Sequence, residues 1–415
     1  MRLLALSLGL LVSCAALAQP LPPTPPDKAG FSKEGLARID RFFQREVTAN
    51  RVPGAVVAVA RDGKLVQHRA YGYLNPVTSE SMPLDAIFQL ASMTKIMVSV
   101  GALALNEEGR LPLKSRLDEY FPAFAKMTVG EAREAARPIF IHDLLRHTSG
   151  ITYGGRGSTP VHKLYPASSS SAATQYSADE FIAKLASVPL LYQPATVWDY
   201  GLSTDVLGVV IEKVTGQKLG DYLSAAVWEK VRMLDTYFEV PGDKRKRIAR
   251  PLPSDPLTGK PQQIALLDAP TKFQCGGGCA FATVADYLRF GQMLLDGGSI
   301  DGRRVLSPKT VAYMTSDHLG DGIKNQVAGT EPNRDGYGFG LGVAVRLKDG
   351  VAATAGTKGD YTWNGANGTL FWADPHERLV VVVGTAAPGE IRRYYREQMA
   401  ALVYGAMTEL RRQGL

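Results

Sequence analysis

Histidine and cysteine are scarce in this chain, and so are the patterns in which they bind metal ions. The sequence contains six histidines and three cysteines, and no His-Glu-x-x-His pattern occurs. Zinc-dependent hydrolases of that type place two histidines one helical turn apart. Metal-dependent hydrolysis is therefore poorly supported, and we expect no metal and no other cofactor. Zinc-finger, RNA-binding and helix-turn-helix signatures are missing as well, so we expect no nucleic-acid partner.

Apolar runs long enough to span a bilayer are also missing, so we expect no membrane span. The N-terminal run, residues 3–12, is about half the roughly 20 residues that a spanning helix needs. Arg2 before it and the small-x-small sequence 16–18 after it are typical of an export signal. This predicts a signal peptide over residues 1–18 and a periplasmic or secreted protein. In the alternative, Cys14 ends a lipobox-like Leu-Val-Ser-Cys and carries a lipid anchor outside the cytoplasm.

The chain carries only a modest excess of positive charge. The 415 residues carry a net charge of +7, with 45% hydrophobic and 21% charged residues, which is typical of a soluble globular protein. The length suits two structural units with a sizeable core. Basic residues are scattered apart from the run 244–247, which we interpret as a solvated loop, with an anion-binding patch as the alternative. No feature of the sequence indicates an oligomeric state.

Two cysteines lie close together in the chain. Cleavage after Ala18 leaves only Cys275 and Cys279, which flank three glycines. An oxidising compartment permits a small disulfide loop there. Two free thiols in a tight glycine turn are the alternative.

The ends of the chain favour strands and the middle favours helices. Residues 19–30 form a proline-rich segment that predicts an extended, mobile linker. We assign 31–112 and 300–415 to an α/β sheet subdomain and 113–299 to a helical subdomain, within one catalytic domain overall. This predicts one sheet completed by both ends of the chain, with a helical unit inserted. The individual expectations are a helix capped by Ser32, strands at 55–60, 65–71, 339–345, 368–372 and 379–383, helices at 178–185, 204–214, 221–231, 284–295 and 389–410, and a mobile polar segment, 153–176, that covers the site.

The tetrapeptide Ser92-Met93-Thr94-Lys95 is the first candidate for chemistry. It joins an apolar run to the helix-like stretch 96–108. Residues three apart share a helix face, so the hydroxyl and the amine lie side by side. A lysine with a lowered pKa can take the proton of a serine nucleophile, and the serine N–H at a helix start can face an oxyanion. In the alternative, Ser92 caps the helix and Lys95 extends to solvent.

Two further segments could complete such a site. Tyr200 lies just before a helix, and a tyrosinate near a lysine ammonium can accept a serine proton; the alternative is a packing residue. The sequence Trp363-Asn364-Gly365-Ala366 lies between two predicted strands, where a backbone N–H could be a second oxyanion donor; the alternative is a glycine-rich turn. A Gly-x-Ser-x-Gly elbow is absent, which disfavours an α/β-hydrolase arrangement.

The order Ser92-x-x-Lys95, Tyr200, Trp363-Asn364-Gly365 resembles the serine β-lactamase-like superfamily. The chain is most similar to the branch of class C β-lactamases, D-aminopeptidases and family VIII carboxylesterases, from about Phe31 to the C-terminal helix. The resemblance implies an α/β (α+β) fold of the β-lactamase/transpeptidase type, with an antiparallel sheet flanked by helices and an inserted all-helical subdomain. It also implies Ser92 as nucleophile, Lys95 with Tyr200 as the base pair, and the N–H groups of Ser92 and Ala366 as the oxyanion hole.

Departures from the class C pattern bear on the substrate. Those enzymes have asparagine where this chain has Leu202, and Lys-Thr-Gly where it has Trp363-Asn364-Gly365. Tryptophan cannot supply the lysine charge that holds a β-lactam carboxylate, and the Trp-x-Gly form resembles the family VIII esterases. We therefore expect these four residues to bind a small-molecule ester or amide. A β-lactamase or D-amino-acid peptidase, the alternative, needs another anchor such as Lys358 or a basic loop residue; a third hypothesis is a binding protein that kept the fold.

Overall fold

The computed structural model describes residues 20–131, 133–327 and 334–411. Its helices are α1 (Lys33–Thr48), α2 (Thr94–Glu107), α3 (Leu117–Tyr120), α4 (Ile141–Leu145), α5 (Ser169–Gln175), α6 (Ala178–Ala186), α7 (Ser203–Thr215), α8 (Leu219–Leu223), α9 (Glu229–Val231), α10 (Val284–Leu295), α11 (Pro308–Met314) and α12 (Ile391–Tyr404). Its strands are β1 (Gly54–Arg61), β2 (Lys64–Asn75), β3 (Glu80–Ser81), β4 (Ile87–Gln89), β5 (Thr128–Val129), β6 (Arg133–Glu134), β7 (Val197–Trp198), β8 (Phe281–Thr283), β9 (Ser299–Ile300), β10 (Arg303–Arg304), β11 (Lys324–Asn325), β12 (Tyr337–Phe339), β13 (Ala344–Arg346), β14 (Tyr361–Asn364), β15 (Leu370–Asp374) and β16 (Leu379–Thr385). The predicted signal peptide and Cys14 lie outside the described residues.

An eight-stranded antiparallel sheet forms the centre of the fold. Its strand order is β12-β13-β14-β15-β16-β1-β2-β3, and β1 pairs with β16 along most of its length. The sheet is thus completed by both ends of the chain, and the predicted fold class is confirmed. Every residue of β1 is buried, because alternate side chains enter different cores on the two faces.

Helices α1 and α12 cover one face of the sheet. Ser32 caps α1 as predicted, and its Oγ accepts a hydrogen bond from the Gly35 N–H at 2.8 Å. Phe43 of α1 and Met399 of α12 are fully buried against Val57 and its neighbours on β1. The helical spacing of apolar residues in α1 therefore creates the stripe that faces the sheet.

Helix α10 packs on the opposite face, against β1, β15 and β16. A Cβ on Gly291 would lie 2.6 Å from the ring of Phe371 and 2.8 Å from Val380, so the missing side chain lets α10 approach the sheet closely. The predicted boundary at residue 299 assigned this helix to the inserted unit, and the structure corrects that. Most residues of α10 are buried, because it separates the sheet from the helices behind it.

Two segments differ from the predictions of mobility. The start of the described chain is not a mobile linker: Leu21 is buried, and the Thr24 N–H donates to the Leu65 carbonyl at 2.9 Å. It pairs there because β3 covers only the far end of β2. The polar segment 153–176 is also ordered, since Ser168 caps α5 and accepts a bond from the Ser171 N–H at 3.2 Å.

Two further expectations concern local structure. The strand predicted at 339–345 is a hairpin of β12 and β13, because Gly342 has a φ of +94° that turns the chain. In the basic run, Lys244 and Arg247 form ion pairs with Asp235 at 2.7 and 2.9 Å. The charge of the run is thus partly neutralised by the protein itself. Among the described residues, no helix combines the length and the apolar character that crossing a membrane requires.

Candidate active site

Ser92 lies in a tight turn between β4 and α2. The turn spans Ala91–Met93 and runs directly into the helix. Ala91 has a φ of +46°, a left-handed conformation that non-glycine residues rarely adopt. Hydrogen bonds hold the turn on both sides: the Leu90 N–H donates to the Ala280 carbonyl at 2.9 Å, and Tyr287 Oη donates to the Met93 carbonyl at 2.8 Å. The half-buried Ser92 side chain is thereby presented from a rigid base.

Ser92 opens into a cleft of about 530 Å³, measured with its mouth. Tyr200 and the segment Trp363, Asn364, Gly365 and Ala366 line the same cleft. Leu202 is not among the described residues that line it, and its expected role in substrate binding is wrong. Leu202 lies at the entry of α7 and is fully buried in the core.

Lys95 is completely buried one helical turn after Ser92, so it does not extend to solvent. Its Nζ donates to the Gly277 carbonyl at 2.5 Å and to Tyr153 Oη at 3.1 Å. Burial by itself lowers the pKa of Lys95, but the charges of Tyr153, Tyr200 and Asp205 outweigh it, and the pKa lies above its ordinary value. Lys95 is therefore an ammonium group at neutral pH, suited to stabilise negative charge rather than to take a proton.

A closed ring of hydrogen bonds fixes the Lys95 ammonium. Tyr153 Oη and Ser169 Oγ are 2.8 Å apart, and Ser169 Oγ donates to Asp205 Oδ2 at 2.8 Å. Asp205 Oδ1 accepts a bond from the Gly277 N–H at 2.8 Å, and the Gly277 carbonyl returns to Lys95. Burial raises the pKa of Asp205 to about 6, although the charge of Lys95 and these hydrogen bonds oppose the rise.

Sequence reasoning missed three members of this ring, namely Tyr153, Ser169 and Asp205. Asp205 could have been noticed, because it is a carboxylate directly before the apolar run of α7. A charged residue on a helix face that is otherwise buried is unusual and indicates a specific partner. Tyr153 and Ser169 lie in a segment whose polar composition indicated a loop. Ser169 bonds to Asp205 and Tyr153 bonds to Lys95, and both partners are distant in sequence.

Tyr200 lies beside Lys95 and Trp363. Its Oη accepts a hydrogen bond from the Trp363 indole N–H at 3.1 Å, and Lys95 Nζ lies 4.5 Å from the centre of its ring. The ring of His147 packs 4.8 Å from that of Tyr200. Burial holds the pKa of His147 well below its usual range, so this imidazole is neutral.

The segment that follows β14 is docked against the Ser92 turn. Trp363 and Asn364 belong to β14 itself rather than to a connection between strands. Gly365 is required here because a Cβ would collide with the Leu90 carbonyl oxygen. Thr369 Oγ1 donates to the same oxygen at 2.9 Å, and Arg396 Nη2 donates to the Gly365 carbonyl at 2.5 Å. These contacts hold the Ala366 and Ser92 backbones on one side of the cleft.

Cys275 and Cys279 form a disulfide in the structure, with 5.1 Å between their Cα atoms. The small loop that it closes contains Gly277, whose carbonyl and N–H bind Lys95 and Asp205. The disulfide therefore supports the base of the site. Within the described ranges, no group of three or more histidine, cysteine, aspartate or glutamate residues could hold a metal ion.

Comparison with known proteins agrees with this geometry. A sequence model of the Beta-lactamase family matches residues 39–404. This chain belongs to the Beta-lactamase family. Two relatives are Protein Rv1367c of Mycobacterium tuberculosis, 33% identical over 81% of this chain and 87% of the relative, and Esterase EstB of Burkholderia gladioli, 29% identical over 86% and 93%. The solved structure of EstCE1, a hydrolase with promiscuous acyltransferase activity, has a TM-score of 0.74 at 23% identity and covers 89% of this chain and 99% of its own.

Membership of the Beta-lactamase family confirms the resemblance to the serine β-lactamase-like superfamily that was stated from the sequence. The family has the β-lactamase fold, comprises serine hydrolases and includes esterases among the relatives of this chain. The likeness to EstCE1 shows the fold. The serine hydrolase class is thus established, and the substrate depends on the cleft.

Proposed function

We propose that this protein cleaves carboxylic esters through an acyl-serine intermediate on Ser92. The observation that carries the proposal is the cleft that Ser92, Tyr200 and Trp363 line together, in which the Trp363 indole N–H donates to Tyr200 Oη. The likeness to EstB, named as an esterase, supports it. The resemblance to family VIII carboxylesterases belongs to the same proposal.

Acylation begins with attack of Ser92 Oγ on the ester carbonyl. The serine proton passes to the Tyr200 oxygen, whose negative charge is stabilised by the Lys95 ammonium and the Trp363 N–H. The N–H groups of Ser92 and Ala366 donate to the oxyanion of the tetrahedral intermediate. When the carbon–oxygen bond breaks, Tyr200 returns the proton to the leaving alcohol.

Deacylation uses the same groups in reverse order. A water molecule attacks the acyl carbonyl and gives its proton to Tyr200, and the serine oxygen leaves with that proton. The acid is released and Ser92 is restored. A plain ester needs no lysine to hold a carboxylate in these steps, which is consistent with tryptophan at position 363.

We also propose that the protein works outside the cytoplasm, in the periplasm or the medium. The Cys275–Cys279 disulfide supports this, because disulfides persist in oxidising compartments. Cell fractionation of the full chain tests it: we expect activity in the soluble extracytoplasmic fraction. Membrane-bound activity that Cys14→Ser releases would favour the lipid anchor, and activity confined to the cytoplasm would reject both.

The decisive experiment compares p-nitrophenyl butyrate with nitrocefin, using residues 19–415. We expect ester hydrolysis that Ser92→Ala lowers at least ~10³-fold, with little nitrocefin turnover. Ser99→Ala, a buried serine further along α2, is the matched control and should retain activity. Full activity in Ser92→Ala contradicts the mechanism, and nitrocefin turnover of similar efficiency favours a β-lactamase.

A further inference from the structure

Gln89 is the only polar side chain of strand β4, and it is buried shortly before the Ser92 turn. The strand consists of Ile87, Phe88 and Gln89, and Gln89 is only 4% exposed. It is not among the described residues that line the Ser92 cleft. A buried amide needs hydrogen-bond partners, because an unpaired donor or acceptor away from water costs free energy. The partners of Gln89 therefore indicate which parts of the fold it holds together.

The amide of Gln89 joins two loops that are distant from each other in sequence. Its Nε2 donates to the Gly278 carbonyl at 2.5 Å, and its Oε1 accepts a hydrogen bond from Asn367 Nδ2. A glutamine amide has a donor side and an acceptor side, so one residue satisfies both loops. An apolar side chain of similar length would satisfy neither of them.

The first loop holds the ammonium group of the site. Gly278 lies in the disulfide loop beside Gly277, whose carbonyl accepts from Lys95 Nζ at 2.5 Å and whose N–H donates to Asp205 Oδ1 at 2.8 Å. A Cβ on Gly277 would lie 2.2 Å from Asp205 Oδ2, so the loop is in close contact with this carboxylate. A shift of Gly278 would therefore move the carbonyl oxygen that positions Lys95.

The second loop carries the proposed oxyanion donor. Asn367 follows Ala366 in the turn between β14 and β15. The Ala387 N–H donates to the Asn367 carbonyl at 2.8 Å, so the backbone of Asn367 is held by Ala387 and its side chain by Gln89. The methyl group of Ala366 makes no hydrogen bond, and the direction of its N–H therefore depends on its neighbours.

We propose that Gln89 is a positioning residue that sets the Ala366 N–H against the Lys95 side of the site. The inference rests on the proposed acyl-serine mechanism, in which Gln89 itself contacts no substrate. Gln89 also lies three residues before the nucleophile Ser92, so one short strand places all three components relative to each other. A displacement of about 1 Å in a catalytic group can lower the rate about 10²-fold.

Gln89→Met tests the proposal, because it removes both hydrogen bonds and keeps the length of the side chain. With p-nitrophenyl butyrate we expect kcat to fall at least ~10-fold and KM to change less than about threefold, since oxyanion contacts act mainly in the transition state. Gln67→Met is the matched control. Gln67 is a buried glutamine on β2 whose Nε2 donates to Asp40 Oδ1 at 3.1 Å, and its variant should lose stability and keep kcat.

Inhibition by 1-butaneboronic acid separates positioning from a general loss of stability. Its boron binds the Ser92 oxygen and becomes tetrahedral, with a hydroxyl group at the place of the oxyanion. We expect the inhibition constant of Gln89→Met to rise by about the factor by which kcat/KM falls, and that of Gln67→Met to stay unchanged. Asn367→Ala should cause a smaller loss. Adding it to Gln89→Met should cause no further loss, because the two side chains share one interaction.

The outcomes distinguish this inference from the proposed function, which depends on Ser92→Ala. Unchanged kcat in Gln89→Met, a fall in kcat with unchanged boronate inhibition, or additive losses in the double variant overturns the inference and leaves the esterase proposal intact. If the parent chain cleaves no ester, boronate binding alone decides, and equal or absent binding in parent and Gln89→Met overturns the inference. If Gln89→Met does not fold, Asn367→Ala, at a half-buried position, decides by the same two measurements.

Discussion

At the scale of single residues, Trp363 is the substitution that sets this site apart from class C β-lactamases. Its indole N–H bonds to Tyr200 Oη at 3.1 Å. Trp363→Phe keeps an aromatic ring and removes the donor. Since one hydrogen bond contributes about 0.5–1.5 kcal/mol, and about 1.4 kcal/mol is tenfold in rate, we expect kcat to fall about three- to tenfold with a smaller change in KM.

Steady-state kinetics on p-nitrophenyl butyrate measure this effect. Trp228→Phe is the matched control, because Trp228 is buried in the helical part and lies outside the cleft. An unchanged kcat in Trp363→Phe, or an equal fall in both variants, contradicts the assigned hydrogen bond.

Asp205 makes the pH dependence of the site predictable. Its pKa is raised to about 6, so below that pH the carboxyl group takes up a proton in the folded protein. Protonation at Oδ2 turns that oxygen from an acceptor into a donor, so the Ser169 hydroxyl must reorient, and the negative charge of Asp205 near Lys95 is lost. We expect kcat to fall as the pH drops through about 6, and Asp205→Asn to remove that limb of the profile.

The contribution of Asp205 to folding stability depends on pH in the direction opposite to its effect on kcat. The pKa of Asp205 in the folded state is higher than the ordinary value of 3.8, so the folded state binds the proton more tightly. This group therefore stabilises the fold at low pH, and the contribution is lost as the pH rises from about 4 to about 6. Denaturation at pH 4 and 7 should show this difference for the parent chain and less of it for Asp205→Asn; an equal difference in both contradicts the assignment.

The sequence predicted some of these residues and missed others for a physical reason. Ser92 and Lys95 were predicted as neighbours because helical spacing fixes their relation locally. Leu202 was assigned to the cleft by its position in a motif, yet the side chain enters the core. Tyr153 and Ser169 reach Lys95 and Asp205 only through tertiary contacts, which no local pattern encodes.

At the scale of elements, the helices and strands with a strong hydrophobic periodicity were predicted well. The predictions of β1, α1, α7 and α10 agree with the observed elements to within a few residues. The errors concern segments whose structure depends on a distant partner. The proline-rich start of the chain is held by β2, and β12 and β13 are separated by a glycine turn that composition did not indicate.

The disulfide loop is the element whose removal should affect catalysis and stability together. Replacing both cysteines, Cys275→Ser with Cys279→Ser, opens a loop of five residues, for which chain entropy gives about 2 kcal/mol of stability. Because Gly277 binds Lys95 and Asp205, we also expect kcat to fall several-fold. Thermal melting and kinetics on the purified variant measure the two effects.

A control variant that loses stability far from the site separates the effect on kcat from the effect on stability. Ile39→Val, in α1 on the far side of the sheet, should cost about 0.5–1.5 kcal/mol and leave kcat unchanged. If the double cysteine variant keeps full kcat, the loop does not support Lys95 in the way that the hydrogen bonds indicate.

At the scale of the whole molecule, the site lies where the sheet meets the helical part. The Ser92 turn contacts β14, while the partners of Lys95 come from the helical part, on Tyr153 and Gly277. The two ends of the chain also meet, since the Ser32 N–H donates to the Ala406 carbonyl at 2.9 Å. Folding therefore requires contacts that are distant in sequence before the site exists.

This arrangement separates stability from catalysis on the face covered by α1 and α12. Phe43 is fully buried there and stacks on Tyr71 with 5.1 Å between ring centres, on the side of the sheet away from α10. We expect Phe43→Ala to lower the free energy of unfolding by about 3–5 kcal/mol and to leave kcat at 20 °C nearly unchanged while the protein stays folded. Urea denaturation and kinetics on the same preparation test this, with the exposed neighbour Gln44→Ala as control, expected within about 0.5 kcal/mol of the parent. A fall in kcat that parallels the loss of stability would mean that this face of the sheet is coupled to Ser92, because the backbone of β1 and β16 would then transmit the repacking across the sheet.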